Sequence, residues 1–377
     1  MIGSLRISLG ALRRNAETLR ALVAPSRAAF VVKGNAYGHG LVECALAAEP
    51  FAAKLCVYSL EEAVALRDGG VTKPVLILGP IEPEHLPDAV AANAEITLWD
   101  VKDYARRLAV AAQKRHARVK VHIKLNTGLN RLGLEPEDLP DALEDYVRIA
   151  GIEIAGVFSH LASAEEIDSP YTMQQLERFN RALIQAQPIL TAHGITPVRH
   201  IAASAAAMLW PQTRLDMSRF GIALYGLMPS PQTRAAMDTE KLPLDPALSY
   251  ETALTVVRTV AAGAPVGYGT TFHAPRDMRI GIIPLGYSDG IPRALSNRGE
   301  AVVDGARCPM IGRIAMNMSI LDLTSAPGAR AGSPVALLGR QGDATVTADD
   351  WAQWADTINY EIVTRIPATL KRTYSED

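Results

Sequence analysis

From residue 6 to about residue 235, apolar strand-like runs alternate with alanine- and leucine-rich stretches of helical spacing, and this alternation restricts the chain to parallel β/α units. Eight runs read as strands: residues 28–33, 55–58, 75–78, 95–98, 119–124, 154–159, 198–202 and 214–217. Eight parallel strands close a (β/α)8 TIM-like barrel, in which chemistry collects at the strands' C-terminal ends. Residues 221–225 compete for the eighth place; 214–217 is preferred because it sets Arg219 just past a strand's end. Residues 228–246, with four prolines, read as a linker. Beyond them the texture changes to short β-branched runs at 254–260, 280–284, 301–303, 319–323 and 335–338, separated by glycine and proline turns, with a helix at 351–360. That pattern belongs to a mostly antiparallel β domain. The expected architecture is α/β: a barrel over residues 6–235 and a C-terminal mostly β domain over 236–377.

A length of 377 residues exceeds one average domain and suits a barrel with a smaller partner. The net charge of −2, with basic residues scattered, argues against nucleic acid or an acidic membrane surface as partner and for a small substrate. Cys44, Cys56 and Cys308 have no ligand-like spacing, which fits buried thiols in a reducing compartment and no metal site. The N-terminus has no continuous apolar core of a signal peptide, and no window approaches the roughly 20 apolar residues of a membrane span, so a cytoplasmic location is expected.

The run Ala28-Ala29-Phe30-Val31-Val32-Lys33-Gly34-Asn35-Ala36-Tyr37-Gly38-His39-Gly40 places an amine at the end of a buried strand, before a glycine-flanked loop. Partial desolvation lowers a lysine's pKa and supplies the neutral nucleophile that carbonyl chemistry requires. Tyr37 follows within reach of a ligand beside that amine. Lys124, Arg131, His160, Ser204 and Arg219 also fall at or just after predicted strand ends. Singly, they would read as surface charges, a core histidine and a helix N-cap; sharing one barrel face, they converge on one mouth. The loops after the seventh and eighth strands commonly bind phosphate, and Ser204 with the amides of Gly221 and Ile222 suits that role.

The lysine run closely resembles the cofactor-lysine signature of the alanine racemases, pyridoxal 5′-phosphate (PLP) enzymes of fold type III. The likeness continues through residues 124–131 (KLNTGLNR), 158–160, Ser204, 219–226 (RFGIALYG), Tyr268-Gly269, 286–290 (GYSDG), 313–316 and Asn359-Tyr360-Glu361. It implies racemisation of L- and D-alanine, supplying D-alanine for peptidoglycan, by a homodimer with composite active sites. Lys33 would hold PLP, with Tyr37, His160, Ser204, Gly221, Ile222 and Tyr360 around it. Arg219 would face the pyridine nitrogen; an always-charged donor leaves that nitrogen unprotonated and limits side reactions. Racemisation needs two acid–base groups on opposite faces of Cα, which the resemblance gives as Lys33 and Tyr268 of the partner subunit. Arg131 would contact cofactor and substrate carboxylate, and Tyr287, Met316, Arg293 and Arg313 would form the substrate mouth. Lys124 matches a lysine carbamylated in several relatives, and His160 and His200 would be the partners of Tyr268 and of its supporting arginine network. The opening residues would join the C-terminal domain, residues 1–5 by the domain division and residues 5–8 as a pairing run.

Several positions depart from the family's pattern: Gly34 in the lysine run, Ala203 before Ser204, Asn317 and Glu165 near the entrance, and no tyrosine at 362–368. Entrance charge and gate volume decide which side chains enter, so a broader-specificity racemase of the same fold stands as an alternative, with a non-catalytic PLP-binding protein behind it.

Overall fold

The computed structural model describes residues 3–99, 103–237 and 242–377, which form two compact units. One comprises residues 12–36 and 41–245; the other comprises residues 3–11, 37–40 and 246–377.

In the chain's order the first strand, β1 (Ser4–Ser8), belongs to the C-terminal unit. It lies between two strands of that unit, antiparallel to Leu248–Ala253 and parallel to Lys371–Ser375. Its Leu5 and Ile7 are fully buried, the outcome of strict alternation on a half-covered sheet. The paired segment covers the expected residues 5–8 together with Ser4, and residues 1–2 of the expected 1–5 lie outside the described residues.

The barrel is built from β2 (Arg27–Val31), β3 (Lys54–Val57), β4 (Val75–Ile77), β5 (Ala94–Leu98), β6 (Val119–Lys124), β7 (Ile152–Phe158), β8 (Val198–His200) and β9 (Met217–Phe220). All are parallel, in the order β8-β7-β6-β5-β4-β3-β2-β9. The ring closes where Asp216 N–H donates to Arg199 O at 3.1 Å and Arg219 N–H to Ala202 O at 3.1 Å. The helices expected between strands are present, among them Leu60–Asp68, Asp103–Lys114 and Tyr171–Ala192.

The eighth strand departs from expectation. It occupies Met217–Phe220, while Ile222–Tyr225 is a 3-10 turn and Leu215, at φ 47°, interrupts the earlier run. All four residues of β9 are buried, including Ser218 and Arg219, so buried polar side chains hid the strand from a search for apolar runs.

The segment read as a linker also carries structure. Pro231–Ala236 is a helix whose N-cap Ser230 accepts from Thr233 N–H at 3.0 Å. The barrel unit extends to Asp245, ten residues past the expected boundary at 235, because Asn15 bonds Asp245 on both backbone groups, at 2.8 Å each.

In the C-terminal unit the expected run 254–260 forms the strand Val256–Val260, and an unexpected strand, Leu248–Ala253, precedes it in a different sheet. The expected helix 351–360 divides into Ala348–Ala355 and Asn359–Thr364 at Asp356, whose φ is 56°. Among the described residues, no helix is long and apolar enough to cross a membrane.

Candidate functional site

Strand β2 delivers Lys33 to the barrel's C-terminal mouth, where a left-handed turn follows instead of the expected open loop. Gly34, Asn35, Ala36 and Tyr37 have φ of 63°, 54°, 52° and 52°. Consecutive L-residues resist this conformation by roughly 1–2 kcal/mol each, so something must hold it. Glu62 does: one carboxylate oxygen accepts from the Gly34 amide at 2.6 Å and the Asn35 amide at 3.4 Å, and the other from Tyr58 N–H at 2.9 Å. Glu62 is itself fixed by a capping box with Ser59. A Cβ on Gly34 would meet nothing within 4 Å, so backbone conformation rather than space favours glycine there. The Lys33 ammonium is partly buried, with Nζ 5.8 Å from the centre of the Tyr58 ring. Burial and the nearby Arg131 charge lower its pKa, and Glu62 opposes them.

Arg219 projects inward from β9 and is 3% exposed. It donates to His200 Nδ1 at 2.7 Å and to the carbonyls of Ser159 (2.8 Å), Ile201 (3.1 Å) and His200 (3.1 Å). His160 Nδ1 lies 3.4 Å from the same guanidinium. Burial pushes Arg219 down to about 10, and burial with the Arg219 charge holds His160 near about 3 and His200 well below its ordinary value. Both imidazoles are therefore neutral at pH 7. The Phe158 ring stacks on His200 at 4.8 Å and 2°, with Arg219 5.3 Å and Lys124 5.7 Å from its centre. Lys124, at the end of β6, is pushed down to about 8 by burial and by Arg131, Arg219 and Lys33.

Ser204 opens the short helix Ser204–Leu209 and is buried. Its hydroxyl oxygen accepts from the Gly221 amide at 3.1 Å. That amide, expected among the anion donors, is thus already bonded, and Ser204 keeps its own O–H proton for a further acceptor.

The remaining expected residues lie in the C-terminal unit. Tyr37 and Tyr360 face each other there at 6.1 Å between ring centres. Tyr268 is 74% exposed on a 3-10 turn between Gly267 (φ 77°) and Gly269 (φ 69°), with the Arg313 side chain 3.4 Å from the position of a Gly269 Cβ. The loops bearing Tyr287 and Met316 are tied by Tyr287 N–H to Ala315 O and Ser288 N–H to Met316 O, both 3.0 Å. A Cβ on Gly286 would lie 2.1 Å from Ala315 O, so only glycine permits that approach. Arg293 and Arg313 are exposed. Asn317 donates to Ser288 Oγ at 2.7 Å, and Glu165, in the barrel unit, has its pKa raised by burial and Glu166.

Sequence reasoning thus brings Lys33, Lys124, Arg131, His160, His200 and Arg219 into one electrostatic neighbourhood, but it missed Tyr58, Glu62, Phe158, Glu95 and His122. His122 carried a signal: it shares strand parity with Lys124, two residues on, and so points to the same barrel interior.

Two family models match the chain: alanine racemase, N-terminal domain, over residues 7–229, and alanine racemase, C-terminal domain, over residues 247–374. The alanine racemase of Symbiobacterium thermophilum is 38% identical over 370 residues, covering 98% of this chain and 96% of that protein. That of Syntrophobacter fumaroxidans is 39% identical over 358 residues, covering 94% and 93%. Among solved structures, the alanine racemase from D-cycloserine-producing Streptomyces lavendulae superposes with a TM-score of 0.92 at 35% identity, covering 100% of this chain and 97% of that one. An alanine racemase from Bacillus anthracis with bound L-Ala-P gives 0.89 at 30% identity, covering 99% and 95%.

Proposed function

The chain belongs to the alanine racemase family, PLP-dependent isomerases that interconvert L- and D-alanine, and we propose that its proton transfers are carried by Lys33 and by Tyr268 of a second copy. The donor set fits the cofactor. Lys33 offers an amine of lowered pKa to an aldehyde, Ser204 an O–H and Ile222 an amide to a phosphate, and Arg219 a guanidinium to a ring nitrogen. Tyr37 and Tyr360 join the phosphate side. When bound, PLP withdraws electrons from the substrate and acidifies its Cα–H.

The chain's own residues then decide what happens to that proton. Lys33 takes or returns it on one face of Cα, and the Tyr268 phenol does the converse on the other. Arg131 receives the substrate carboxylate, and its charge helps hold Lys33 in the neutral form a base requires. Lys124 lies among three cations, Arg131, Arg219 and Lys33, where a carbamate on its amine would supply the missing anion and orient Arg131. Arg219 donates to carbonyls and imidazoles, with no carboxylate among its partners in the described residues, so it offers the ring nitrogen a donor that holds its proton. Tyr287, Met316, Arg293 and Arg313 form the mouth through which a small amino acid passes.

The observation that carries this reading is the half-buried Lys33 amine of lowered pKa beside Arg131 and Lys124. A homodimer completes each site, and the three buried cysteines, none of them in a disulfide, suit a reducing cytoplasm, where D-alanine is made for peptidoglycan. Asn317 and Glu165 favour a second reading, a racemase of wider side-chain range, which relative turnover of alanine, serine and lysine would separate.

The test is a D/L interconversion assay beside borohydride reduction of the holoenzyme and peptide mapping. Alanine should racemise, the cofactor should be fixed to Lys33, and Lys33→Ala should abolish both. Fixation at another lysine would overturn the assignment.

A further inference from the structure

Behind Arg219 a file of buried polar side chains crosses the barrel from its C-terminal mouth to the N-terminal ends of β3 and β5. Arg219 N–H donates to His200 Nδ1 at 2.7 Å, His200 Nε2 lies 2.8 Å from His122 Nδ1, and His122 Nε2 lies 2.8 Å from Glu95 Oε2. Lys54 bonds the same Glu95 oxygen. His122 and His200 are 0% exposed, Arg219 3%, and Glu95 and Lys54 7% each. Glu95 and Lys54 line a cavity of about 580 Å³ at the opposite end of the barrel from Lys33.

A guanidinium can only donate, and that fixes every proton in the file. His200 Nδ1 must accept, so a neutral His200 carries its proton on Nε2 and donates to His122 Nδ1. His122 in turn carries its proton on Nε2 and donates to Glu95, which accepts as a carboxylate. Lys54 Nζ and His122 Nε2, 3.0 Å apart, are then two donors converging on one Glu95 oxygen. The electrostatics agree. Burial lowers His122 to about 4, keeping it neutral; burial would raise Glu95, but the His122 bond and the Lys54 charge outweigh it and hold it at about 2.

The backbone makes room for this file. The β6–β7 register shifts between Val121 and His122, and a Cβ on Gly156 would lie 2.2 Å from His122 Nδ1, the atom that receives the His200 proton.

We propose that Glu95, clamped by Lys54, is a positioning residue for Arg219: through His122 and His200 it enforces a single proton direction, which keeps His200 Nδ1 an acceptor and the guanidinium in place. Its catalytic consequence rests on the reading that Arg219 faces the cofactor's ring nitrogen. An orienting carboxylate acts on a histidine's tautomer in just this way in hydrolytic triads, although here two imidazoles relay the bias and no proton moves.

The test reads the protons first. In holoenzyme labelled with 15N-histidine, with signals assigned from His122→Gln and His200→Gln, both rings should be neutral and protonated at Nε2 at pH 7. An Nδ1–H ring or an imidazolium at either position overturns the file's direction. Glu95→Gln can donate as well as accept, so it should populate the other His122 tautomer and lower kcat roughly 10–100-fold with little change in KM. Unchanged tautomers, or an unchanged kcat with altered tautomers, would overturn the positioning role. If Glu95→Gln fails to fold, the parent's shifts still decide the direction, and Gly156→Ala tests the link. It should displace His122 and move the His200 Nε2–H resonance; an unmoved resonance overturns the link. Cofactor trapping away from Lys33 would instead sink the underlying reading while leaving the histidine shifts interpretable.

Discussion

Lys124 illustrates how one residue's cost reveals its use. The residue is 6% exposed and its ammonium is opposed by three other cations, and the site lowers its pKa from 10.5 to about 8. Below pH 8 the folded protein holds a charge that burial and its neighbours oppose. Between pH 8 and 10.5 the unfolded chain binds more protons than the folded one, so this group's contribution to stability rises with pH; above 10.5 the difference vanishes. Lys124→Met should therefore stabilise the cofactor-free protein at pH 7, in carbon-dioxide-free buffer, by roughly 1–3 kcal/mol, with no gain left near pH 11. Urea unfolding of parent and variant at both pH values would show it, and a destabilised variant at pH 7 would mean that the ammonium is not opposed as described. The sequence named Lys124 through its motif, but it did not name Glu62, whose role comes from a turn that brings the Gly34 amide to within 2.6 Å of it across 28 residues. No local pattern encodes that meeting.

Elements were legible in proportion to how apolar their buried faces are. Strands β3 and β4 are buried at every position, and their expected runs, 55–58 and 75–78, stood out as apolar. Strand β9 did not, because half of it is Ser218 and Arg219, polar residues, and Arg219 finds its partners outside its own strand, on His200 and on the carbonyls of Ser159 and Ile201. The 231–236 helix was hidden by the proline at its first turn, a favoured N1 residue that reads as a breaker when the Ser230 cap goes unrecognised. Strand β1 was foreseen by family likeness and is explained by its alternation. Because it is paired on both edges and its Leu5 and Ile7 are fully buried, it is an internal strand of the C-terminal sheet rather than a terminal frill. Leu5→Ala should cost about 2–5 kcal/mol in denaturant unfolding. A loss under 0.5 kcal/mol, within the range of ordinary surface substitutions, would mean that β1 is dispensable.

At the scale of the whole molecule, the expected site residues are divided between two units. Lys33, Lys124, Arg131, His160, His200, Ser204 and Arg219 belong to the barrel, and Tyr37, Tyr268, Tyr287, Arg293, Arg313, Met316 and Tyr360 to the other unit. Sequence spacing cannot reveal which copy of a chain completes a site, and only the family likeness gave Tyr268 a role. The structure adds a physical motive. Tyr268 is 74% exposed, and Tyr287, Met316 and Met318 of the same unit are 44–57% exposed, which leaves these side chains accessible to a second copy. Two glycines at positive φ hold the Tyr268 turn in a conformation other residues resist, so the phenol is presented by design of the backbone. Tyr268→Phe keeps the ring and removes the acid, and it should lower racemisation about 10²–10⁴-fold with folding intact. Co-expressing Lys33→Ala with Tyr268→Phe then discriminates between arrangements. If Tyr268 acts in its partner's site, a mixed dimer holds one doubly damaged site and one intact site, so activity returns although neither parent variant is active alone. If each chain completes its own site, every site in the mixed dimer carries one lesion and no activity returns. Mass spectrometry showing mixed dimers without recovered turnover would therefore reject the composite site.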